Sequence, residues 1–322
     1  MNSSSTVEPM VKQNVPILFL TLFILIEATV LFVFTVDFQW SLLGLAVGMY
    51  FLRMFGITAG YHRYFSHNAF KTSRVFQFIL GWIGAMSMQK GPLWWAAHHR
   101  NHHRYSDTEL DIHSPKQKGF WYSHMLWFLR DDYNDYDSRL IKDYYKYPEM
   151  VWLDRFHWLP PLSYSIALYL IGGWAWLVYG YAVSTFFLGH GTWTINSLAH
   201  VIGSRRYETK DDSRNNFFLA IITMGEGWHN NHHHYAHSAN QGFFWYEVDF
   251  SYYILKLLSF FGIVWDLKMP PVKVIEEGKE NDRRKKEAKL KNSGPIEVKK
   301  TKEKWIPQGM KPDMVNASIA EG

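Results

Sequence analysis

Hydrophobic positions along the chain gather in four long runs that form two pairs. Residues 15–36 make an apolar run with Glu27 as its one charge, and residues 41–60 make a second run shortly after it. At about 1.5 Å per residue, a helix of about 20 residues crosses a bilayer core of roughly 30 Å. Residues 162–179 and 181–202 repeat this arrangement on either side of Gly180. The pattern predicts four membrane helices in two hairpins.

The distribution of positive charge supports this topology. Lysine and arginine are absent from residues 13–52 and from residues 156–204. Because positive residues mark cytoplasmic loops, we expect both termini and residues 53–155 on the cytosolic side, which requires an even number of spans. A cleavable signal peptide is the alternative for the first run, but only Lys12 precedes it and no small-residue cleavage site follows. Buried helices of a soluble protein, the other alternative, leave both charge-free windows unexplained.

Composition adds a division into two parts. The chain is 48% hydrophobic and 18% aromatic, yet its mean hydropathy is only −0.20. The low mean has local causes, because residues 271–322 are rich in lysine and glutamate and other segments are rich in histidine. We predict a membrane-embedded domain with a cytosolic cap over residues 1–270 and a charged, disordered or loosely helical tail over residues 271–322. A solvated tail is the simpler interpretation, and contact with anionic lipid or an acidic electron donor is the alternative.

Nine histidines fall in four clusters at the cytosolic ends of the predicted spans: His62 and His67 in HRYFSH, His99, His102 and His103 in HRNHH, His200 in NSLAH, and His229, His232 and His233 in GEGWHNNHH. Clustered imidazoles are typical of metal ligands. The chain contains no cysteine, so thiolate zinc sites and iron–sulfur clusters are excluded. Any transition metal must therefore be held by nitrogen and oxygen.

Spacing groups these histidines but does not fix the ligand set. Each triplet has members at i, i+3 and i+4, which places it on one helical face, where several imidazoles can serve one centre. Asn196 and His200 are also four residues apart. Periodicity alone would equally allow His98 with His102, or His233 with His237. The other histidines are expected to support ligands or lie in the interior: His113, His124, His157, His190 and His234.

Together, HRYFSH, HRNHHRYSDTELDIHSPKQKGFWYSH, NSLAH and GEGWHNNHH resemble the membrane fatty-acyl desaturase family, delta-9 branch, and QKGPLWW is similar to its bacterial members. The resemblance covers about residues 15 to 270. It implies an all-α integral membrane protein, with four membrane helices in two hairpins beneath a cytosolic helical cap that carries the histidine boxes. It also implies two iron ions as cofactors. The implied ligands are His62, His67, His99, His102, His103, His200, His229, His232 and His233, with Asn196 acting through a water.

The family reaction implied by this resemblance uses dioxygen and two electrons to insert a cis double bond, delta-9 in this branch, into a saturated acyl-CoA. Head-group recognition departs from the animal acyl-CoA pattern. Ala97 and His98 replace an Arg-Asp pair, and of a later basic pair Arg130 is kept while Asp131 replaces the lysine. An acyl-lipid substrate is therefore the alternative, although we favour acyl-CoA. A hydroxylase of the same superfamily, and more distantly a zinc hydrolase or metal carrier, are further alternatives.

The same resemblance implies residues that contact the substrate. Tyr50 and Met54 match a chain-length gate, and because Met54 is bulky we expect a shallow pocket. Spacing alone would explain the stripe of Tyr50, Met54 and Thr58 as ordinary helix packing. The remaining implied substrate residues are Gln89, Trp95 and Thr192 at a bend, and Arg130 near the head group.

Electrons are expected from a separate protein. The sequence has no haem or flavin motif and no dinucleotide glycine fingerprint. We expect a donor of the ferredoxin or haem cytochrome type, with an NAD(P)H reductase behind it. The expected partners are thus this donor, membrane lipid and the acyl substrate, with no nucleic acid. The expected location is a multi-pass membrane protein whose active site faces the cytosol.

Overall fold

The computed structural model describes residues 15–292. Helices dominate this part of the chain, and a single pair of short strands joins two distant segments. The α-helices are α1 (Ile17–Ala28), α2 (Trp40–Phe55), α3 (Arg74–Ala85), α4 (Pro92–Tyr105), α5 (Pro115–Lys118), α6 (Lys142–Tyr145), α7 (Pro148–Arg155), α8 (Leu159–Trp176), α9 (Ser184–Asn196), α10 (Phe217–Ile222), α11 (His229–His234), α12 (Phe250–Phe260) and α13 (Val272–Asn292). Strands β1 (Lys71–Thr72) and β2 (Val264–Trp265) pair antiparallel, with Lys71 opposite Trp265.

The first predicted hairpin corresponds to α1 and α2. A 3₁₀ helix, Thr29–Thr35, extends α1, and the backbone is then extended at Val36 and Gln39 before α2 begins. Within the apolar run, the Thr29 hydroxyl donates to the carbonyl of Ile26 at 2.6 Å, which satisfies the hydroxyl without water. The first predicted run therefore ends one residue from the end of its helical segment, whereas the second segment extends six residues past the predicted end, to Ser66.

A π-helix, Gly56–Ser66, continues α2 without a break. It crosses α3 closely at Gly56, where an added Cβ would lie 2.6 Å from the Gly84 nitrogen. Only a glycine permits this approach. Because π-helices frequently occur at functional sites, the segment that carries the first histidine box is already distinctive in its backbone.

The second predicted hairpin breaks at a different residue from the one expected. Gly173 has a φ of +64°, which interrupts the helical segment Leu159–His200, whereas Gly180 lies inside a π-helix, Leu177–Val183. The Tyr164 hydroxyl donates to the Gly180 carbonyl at 2.5 Å. In a straight helix these residues would be about 24 Å apart, so the chain reverses direction between them. Gly180 is instead a packing position against Leu168.

Three described helical segments are long and apolar enough to cross a membrane: Ile17–Thr35, Trp40–Ser66 and Leu159–His200. None of the apolar window of the first is buried within the protein. Large exposed apolar surfaces of this kind suit contact with lipid tails. The main hydrophobic core lies elsewhere, where the π-helix Gly56–Ser66 meets α3, α4 and α7 around Phe65, Leu80, Leu93 and Leu153.

The segment predicted as a tail begins with a helix. α13 starts next to the predicted boundary, and its first turns contact the rest of the protein through a hydrogen bond from the Tyr207 hydroxyl to the Val274 carbonyl at 2.9 Å. Contacts divide the chain into Met1–Asn281 and Asp282–Gly322, and the described residues of the second unit are the last turns of α13. The rest of the predicted tail, residues 293–322, lies outside the described residues.

Candidate metal centre

All nine histidines singled out in the sequence converge in two groups of potential ligands. Within each group the ligand nitrogens lie within 4.8 Å of one another. The first group consists of His62, His67, His99, His103 and His232, and the second of His102, His200, His229 and His233. The two groups adjoin, with the rings of His103 and His233 stacked at 4.4 Å. The arrangement offers sites for two metal ions side by side.

The π-helix explains the spacing of the first histidine box. His62 lies inside Gly56–Ser66 and His67 is the residue that ends it. A π-helix has i to i+5 hydrogen bonds, so residues five apart share one face. In an α-helix the same two side chains would diverge. The backbone thus brings both imidazoles of HRYFSH to one site, where their rings are 4.9 Å apart.

Each histidine triplet supplies both groups rather than one. On α4 the i and i+4 members, His99 and His103, join the first group, while His102 joins the second. On α11 the pattern is reversed, because the i and i+4 members join the second group and His232 joins the first. Each helix thus offers two imidazoles to one group, as the spacing allows, and its third imidazole to the other group. On each helix the i+3 histidine joins the other group because its side chain points toward the neighbouring site.

The distances between ring nitrogens fit metal coordination better than hydrogen bonding. In the first group four Nε2 to Nε2 distances fall between 2.9 and 3.0 Å, and His99, His103 and His232 each take part in two of them. An imidazole nitrogen has one hydrogen or one lone pair, so it cannot make two such hydrogen bonds. Two nitrogens at right angles on a metal, each about 2.1 Å away, would be about 3.0 Å apart. The geometry thus fits a metal ion at the centre.

Carboxylates orient the outer nitrogens of four ligands. The Nδ1 atoms of His102, His200 and His233 lie 3.0, 2.8 and 2.8 Å from the carboxylates of Asp111, Asp107 and Asp211 respectively. Glu226 contacts Nδ1 of His62 in the same way. A carboxylate that accepts Nδ1–H fixes the tautomer, which leaves Nε2 free to bind a metal and raises its basicity.

Charge and pKa also fit divalent metal ions. Burial alone raises the pKa of Asp107, Asp111 and Asp211, but contact with histidine keeps each pKa below its usual range, so all three stay ionised. Arg63 pairs with Glu226 at 2.9 Å, but it also pairs with Asp249 at 3.0 Å, so its single positive charge faces two carboxylates and leaves net negative charge beside the histidines. Buried negative charge is costly unless cations balance it. Two divalent ions would balance the four carboxylates that contact histidine.

Imidazole ligation requires the neutral ring, and burial favours it here. Burial and the neighbouring imidazoles lower the pKa of several ligands well below the ordinary value of 6.5, namely His99, His103, His229 and His232. The pKa of His233 falls to about 4 by burial, even though Asp211 opposes the shift. These rings are therefore neutral at pH 7 and able to bind a metal.

The remaining histidines lie outside the two groups. His98 and His237, the alternative ligands allowed by periodicity, belong to neither, and Nδ1 of His237 instead lies 3.0 Å from the His67 carbonyl. His113 forms a third possible set with His102 and Asp111, but both of these already serve the second group. Farther away, His124 contacts His190 at 3.0 Å and His234 stacks on Tyr207 at 4.1 Å. His157 is half-buried.

Two adjoining cavities reach the metal centre. The larger has a volume of about 330 Å³ and the smaller about 40 Å³. They share walls formed by Trp95, His99, His113, Thr192 and Asn196. Asn196, expected to act through a water, thus lines both cavities together with His99 and His113. The shared walls make these two cavities one candidate path for a substrate past the metal centre.

The predicted substrate residues divide between these walls and positions away from them. Gln89, Trp95 and Thr192 line the larger cavity, and Met54 lines the smaller one with Trp95 and Thr192. Tyr50 lies beyond Met54, with its hydroxyl bonded to the Ile222 carbonyl at 2.7 Å. Arg130 lines neither cavity, and its guanidinium pairs with Asp132. Four of the six predicted substrate residues therefore line the two cavities, and Tyr50 and Arg130 do not.

Sequence reasoning did not assign the four carboxylates that support the ligands. Their signal was present, since Asp107 and Asp111 follow HRNHH within eight residues and Glu226 precedes His229 by three. Asp211 has no such proximity, and only the fold brings it to His233. Gln241 was missed as well, and it contacts both His62 at 3.2 Å and Glu226 at 2.8 Å.

Comparison with known proteins decides the family. The family model described as fatty acid desaturase matches residues 38–259, a range that contains every proposed ligand. The sn-2 palmitoyl-lipid 9-desaturase of Nostoc sp. (strain 36) is 40% identical over 232 residues, which is 70% of this chain and 81% of that protein. The chain belongs to the fatty acid desaturase family. Its membership confirms the resemblance carried by the histidine boxes.

Other relatives of this desaturase differ in the substrates that their names give. The acyl-CoA 5-desaturase of Anemone leveillei is 36% identical over 242 residues, covering 72% of this chain and 74% of that protein. The delta-9 acyl-lipid desaturase 1 of Arabidopsis thaliana is 36% identical over 242 residues, covering 73% and 77%. Membership in this membrane-bound family makes the protein an oxidoreductase, and the names of these relatives give acyl-lipid substrates for some of them and acyl-CoA for others. Its histidine groups fit the metal binding of the family.

Proposed function

We propose that this protein is a di-iron, dioxygen-dependent desaturase that inserts a cis double bond, at the delta-9 position, into a saturated fatty-acyl chain. The observation that supports this most strongly is the division of nine imidazoles into adjoining groups of five and four beside a narrow cavity. Neutral nitrogen ligands would hold two irons, and Asn196 would contribute through a water. The names of the relatives, which include delta-9 enzymes, support the bond position.

In the overall reaction, the acyl chain loses one hydrogen from each of two neighbouring carbons, and a carbon–carbon double bond forms. Dioxygen is reduced to two waters with these two hydrogens, two electrons and two protons. Iron in the histidine cage supplies this oxidation when it is bound. The electrons would come from a separate donor of the ferredoxin or haem cytochrome type and its NAD(P)H reductase.

The contribution of the protein is to position one pair of methylenes. A saturated chain offers many nearly identical methylenes, so only the shape of the path can select among them. Trp95 and Thr192 line both cavities and would fix the chain where it passes the histidines. Met54 is 1% exposed and lines the inner cavity, where it would limit the length beyond the new bond. The apolar walls would also exclude water from the reacting carbons.

The proposed topology has four spans in two hairpins beneath a cytosolic cap, with both termini and the metal centre in the cytosol. The reversal at Gly173 supports it, because Leu159–His200 would otherwise be about 63 Å long, twice the bilayer core. The chain has no cysteine, which allows a direct test. In sealed vesicles of known orientation, a cysteine at Asp212 should react only from the cytosolic side and one at Asp37 only from the opposite side.

The decisive experiment is expression in a host that lacks its own desaturase. New double bonds should map to the delta-9 carbon, and a His103→Ala control should form none. Iron, not zinc, should restore turnover to metal-free protein. Hydroxylated acyl chains in place of alkenes would favour the hydroxylase alternative, and activity with zinc alone would favour a hydrolase.

A further inference from the structure

We propose that the acyl chain reaches the metal centre sideways from the bilayer, past α1, so that the substrate is a chain of a membrane lipid whose head group has no net negative charge. This rests on the proposed desaturase function and specifies its substrate class. It reverses the preference for acyl-CoA drawn from the sequence. Three features of the described residues support it: the wall of the larger cavity, the attachment of α1, and the charges at the cavity rim.

The wall of the larger cavity includes one face of α1. Phe19, Leu22, Phe23 and Ile26 line it, at the i, i+3, i+4 and i+7 positions that define one side of a helix. The opposite side of the same helix points away from the protein, with Ile17 81% and Ile24 55% exposed. A single membrane helix therefore separates the cavity from the surrounding lipid.

Few specific contacts join α1 itself to the rest of the described residues. The Phe23 ring lies 5.8 Å from Phe128 and 5.7 Å from Trp193, and Glu27 lies 3.3 Å from His190. Aromatic contacts and one partly exposed ion pair contribute about 1 kcal/mol each. A helix held in this way can move aside for a lipid tail at little cost.

The cavity connects this wall directly to the metal centre. His99 of the first ligand group and His113 line the same space as Phe19 and Ile26. Thr192 and Asn196, from the last turns of α9, line it as well. Because α9 belongs to an apolar segment able to cross a membrane, the path begins at bilayer level. An acyl chain can therefore reach the histidines without leaving the lipid phase and entering water.

The charges at the rim disfavour coenzyme A. Lys90 is the one lysine or arginine among the described residues that line the larger cavity, and it donates to Asn134 at 2.6 Å. Asp131 and Asp135 lie within electrostatic range of Lys90. Arg130 is occupied by Asp132. One lysine in the cavity wall, already bonded to Asn134 and with carboxylates nearby, offers little to bind the several phosphates of coenzyme A, whereas a zwitterionic or uncharged head group needs no such cluster of cations.

The test uses the full-length, iron-loaded protein in vesicles of phosphatidylcholine whose stearoyl chain carries a diazirine. Irradiation followed by peptide mapping reports where the lipid chain lies, whether or not turnover occurs. Leu22→Trp and Ile26→Trp fill the cavity face of α1. Ile17→Trp and Ile24→Trp are the matched controls, because they add the same ring to the outward face of the same helix.

We expect crosslinks on the cavity walls, including Trp95 and Thr192, and we expect them to fall about tenfold in Leu22→Trp and Ile26→Trp because the added ring overfills the space. The controls should stay within about twofold of wild type. Turnover of stearoyl phosphatidylcholine should follow the same order. Equal melting temperatures and iron contents for the variants would show that the effect is local.

Two results would overturn lateral access. The first is an absence of crosslinks on the cavity walls while stearoyl-CoA is turned over, and the second is an equal effect of inward and outward tryptophans. Either result leaves desaturation itself intact. Crosslinks in the cavity without any new double bond on either substrate would instead reject the proposed function and keep the lipid path.

Discussion

A single carboxylate fixes the ring orientation and tautomer of each of several histidines in the candidate metal centre. Asp211 accepts a hydrogen bond from Nδ1 of His233 and is itself held by the Ser213 backbone at 3.0 Å. The hydrogen-bonded carboxylate prevents rotation of the ring and selects the tautomer with a free Nε2. Its neighbour Asp212 instead pairs with Lys116 at the surface. Adjacent residues of the same type thus have different roles.

The first prediction uses this pair. Asp211→Asn should lower the metal affinity of the centre about ten- to a hundredfold, because an amide cannot replace the charge and fixed acceptor geometry of the carboxylate. Metal content after dialysis against graded chelator concentrations measures the effect. Asp212→Asn is the control and should match wild type. Equal metal loss in the two variants would contradict the role given to Asp211.

A second prediction concerns the closed end of the path. Met54→Ala should change the ratio of longer to shorter products about ten- to a hundredfold in favour of longer chains, because the side chain limits the inner cavity. Met49→Ala, on the same helix but outside both cavity walls, is the control. Product analysis with mixed acyl chains measures the ratio. An unchanged ratio in active Met54→Ala protein would show that this residue does not measure the chain.

At this scale the histidines that converge were predictable from the sequence, and the residues that contact them were not. The nine histidines form recognisable sequence clusters because neighbouring turns of the same helix supply several of them. Asp211 and Gln241 are recognisable only by their positions in space, since nothing in their local sequence differs from an ordinary loop residue. Arg130 shows the converse, because it matched a motif, yet in this chain Asp132 occupies its guanidinium.

At the scale of elements, α4 depends on a residue from a neighbouring helix. Its N-terminus has Gly91 as the preceding residue and no side-chain cap of its own. Asp154 of α7 supplies the cap, accepting hydrogen bonds from the backbone nitrogens of Leu93 and Trp94 at 2.9 Å each. Three metal ligands lie on α4, so its anchoring also positions the metal centre.

A third prediction follows from this anchor. Asp154→Ala should lower the free energy of unfolding by about 2–4 kcal/mol, because two backbone donors and the Tyr136 hydroxyl lose their acceptor. Asp154→Asn keeps an oxygen in place and should lose less than half as much. Chemical or thermal unfolding of the metal-free protein measures both. A loss of the same size in the two variants would exclude capping as the cause.

The extent of the helices was predictable, but their internal geometry was not. Long apolar runs determine that a segment is helical and buried in lipid or protein, whatever its exact hydrogen bonding. The π-helix Gly56–Ser66 and the break at Gly173 depend on which residues meet across helices. Gly173 and Gly180 both lie within apolar sequence, yet Gly173 has a positive φ whereas Gly180 lies in a π-helix packed against Leu168.

For the whole molecule, the buried imidazoles make stability depend on pH. The pKa of His233 falls from 6.5 to about 4 in the folded state, and burial lowers the pKa of His99, His103, His229 and His232 as well. Between these values the unfolded chain binds protons that the folded chain does not. Stability should therefore fall as pH falls through this window.

The fourth prediction is the size of this effect. The metal-free protein should lose up to about 1.4 kcal/mol of stability per pH unit for each such imidazole as pH falls below about 6.5. Thermal unfolding measured at about ten equally spaced pH values between 7.5 and 5 gives the slope of stability against pH. Bound metal should raise the melting temperature at pH 7.5. A melting temperature that rises on acidification would contradict the neutral, buried state of these rings.

Because α4 and α11 each contribute histidines to both groups, binding of one ion of the proposed pair is coupled to binding of the other. The first ion to arrive must draw both helices into place, since each contributes to its shell. The second then finds its own donors already assembled and pays little of the ordering entropy. Under iron shortage, a cell would accordingly contain complete and empty molecules, with few half-filled ones.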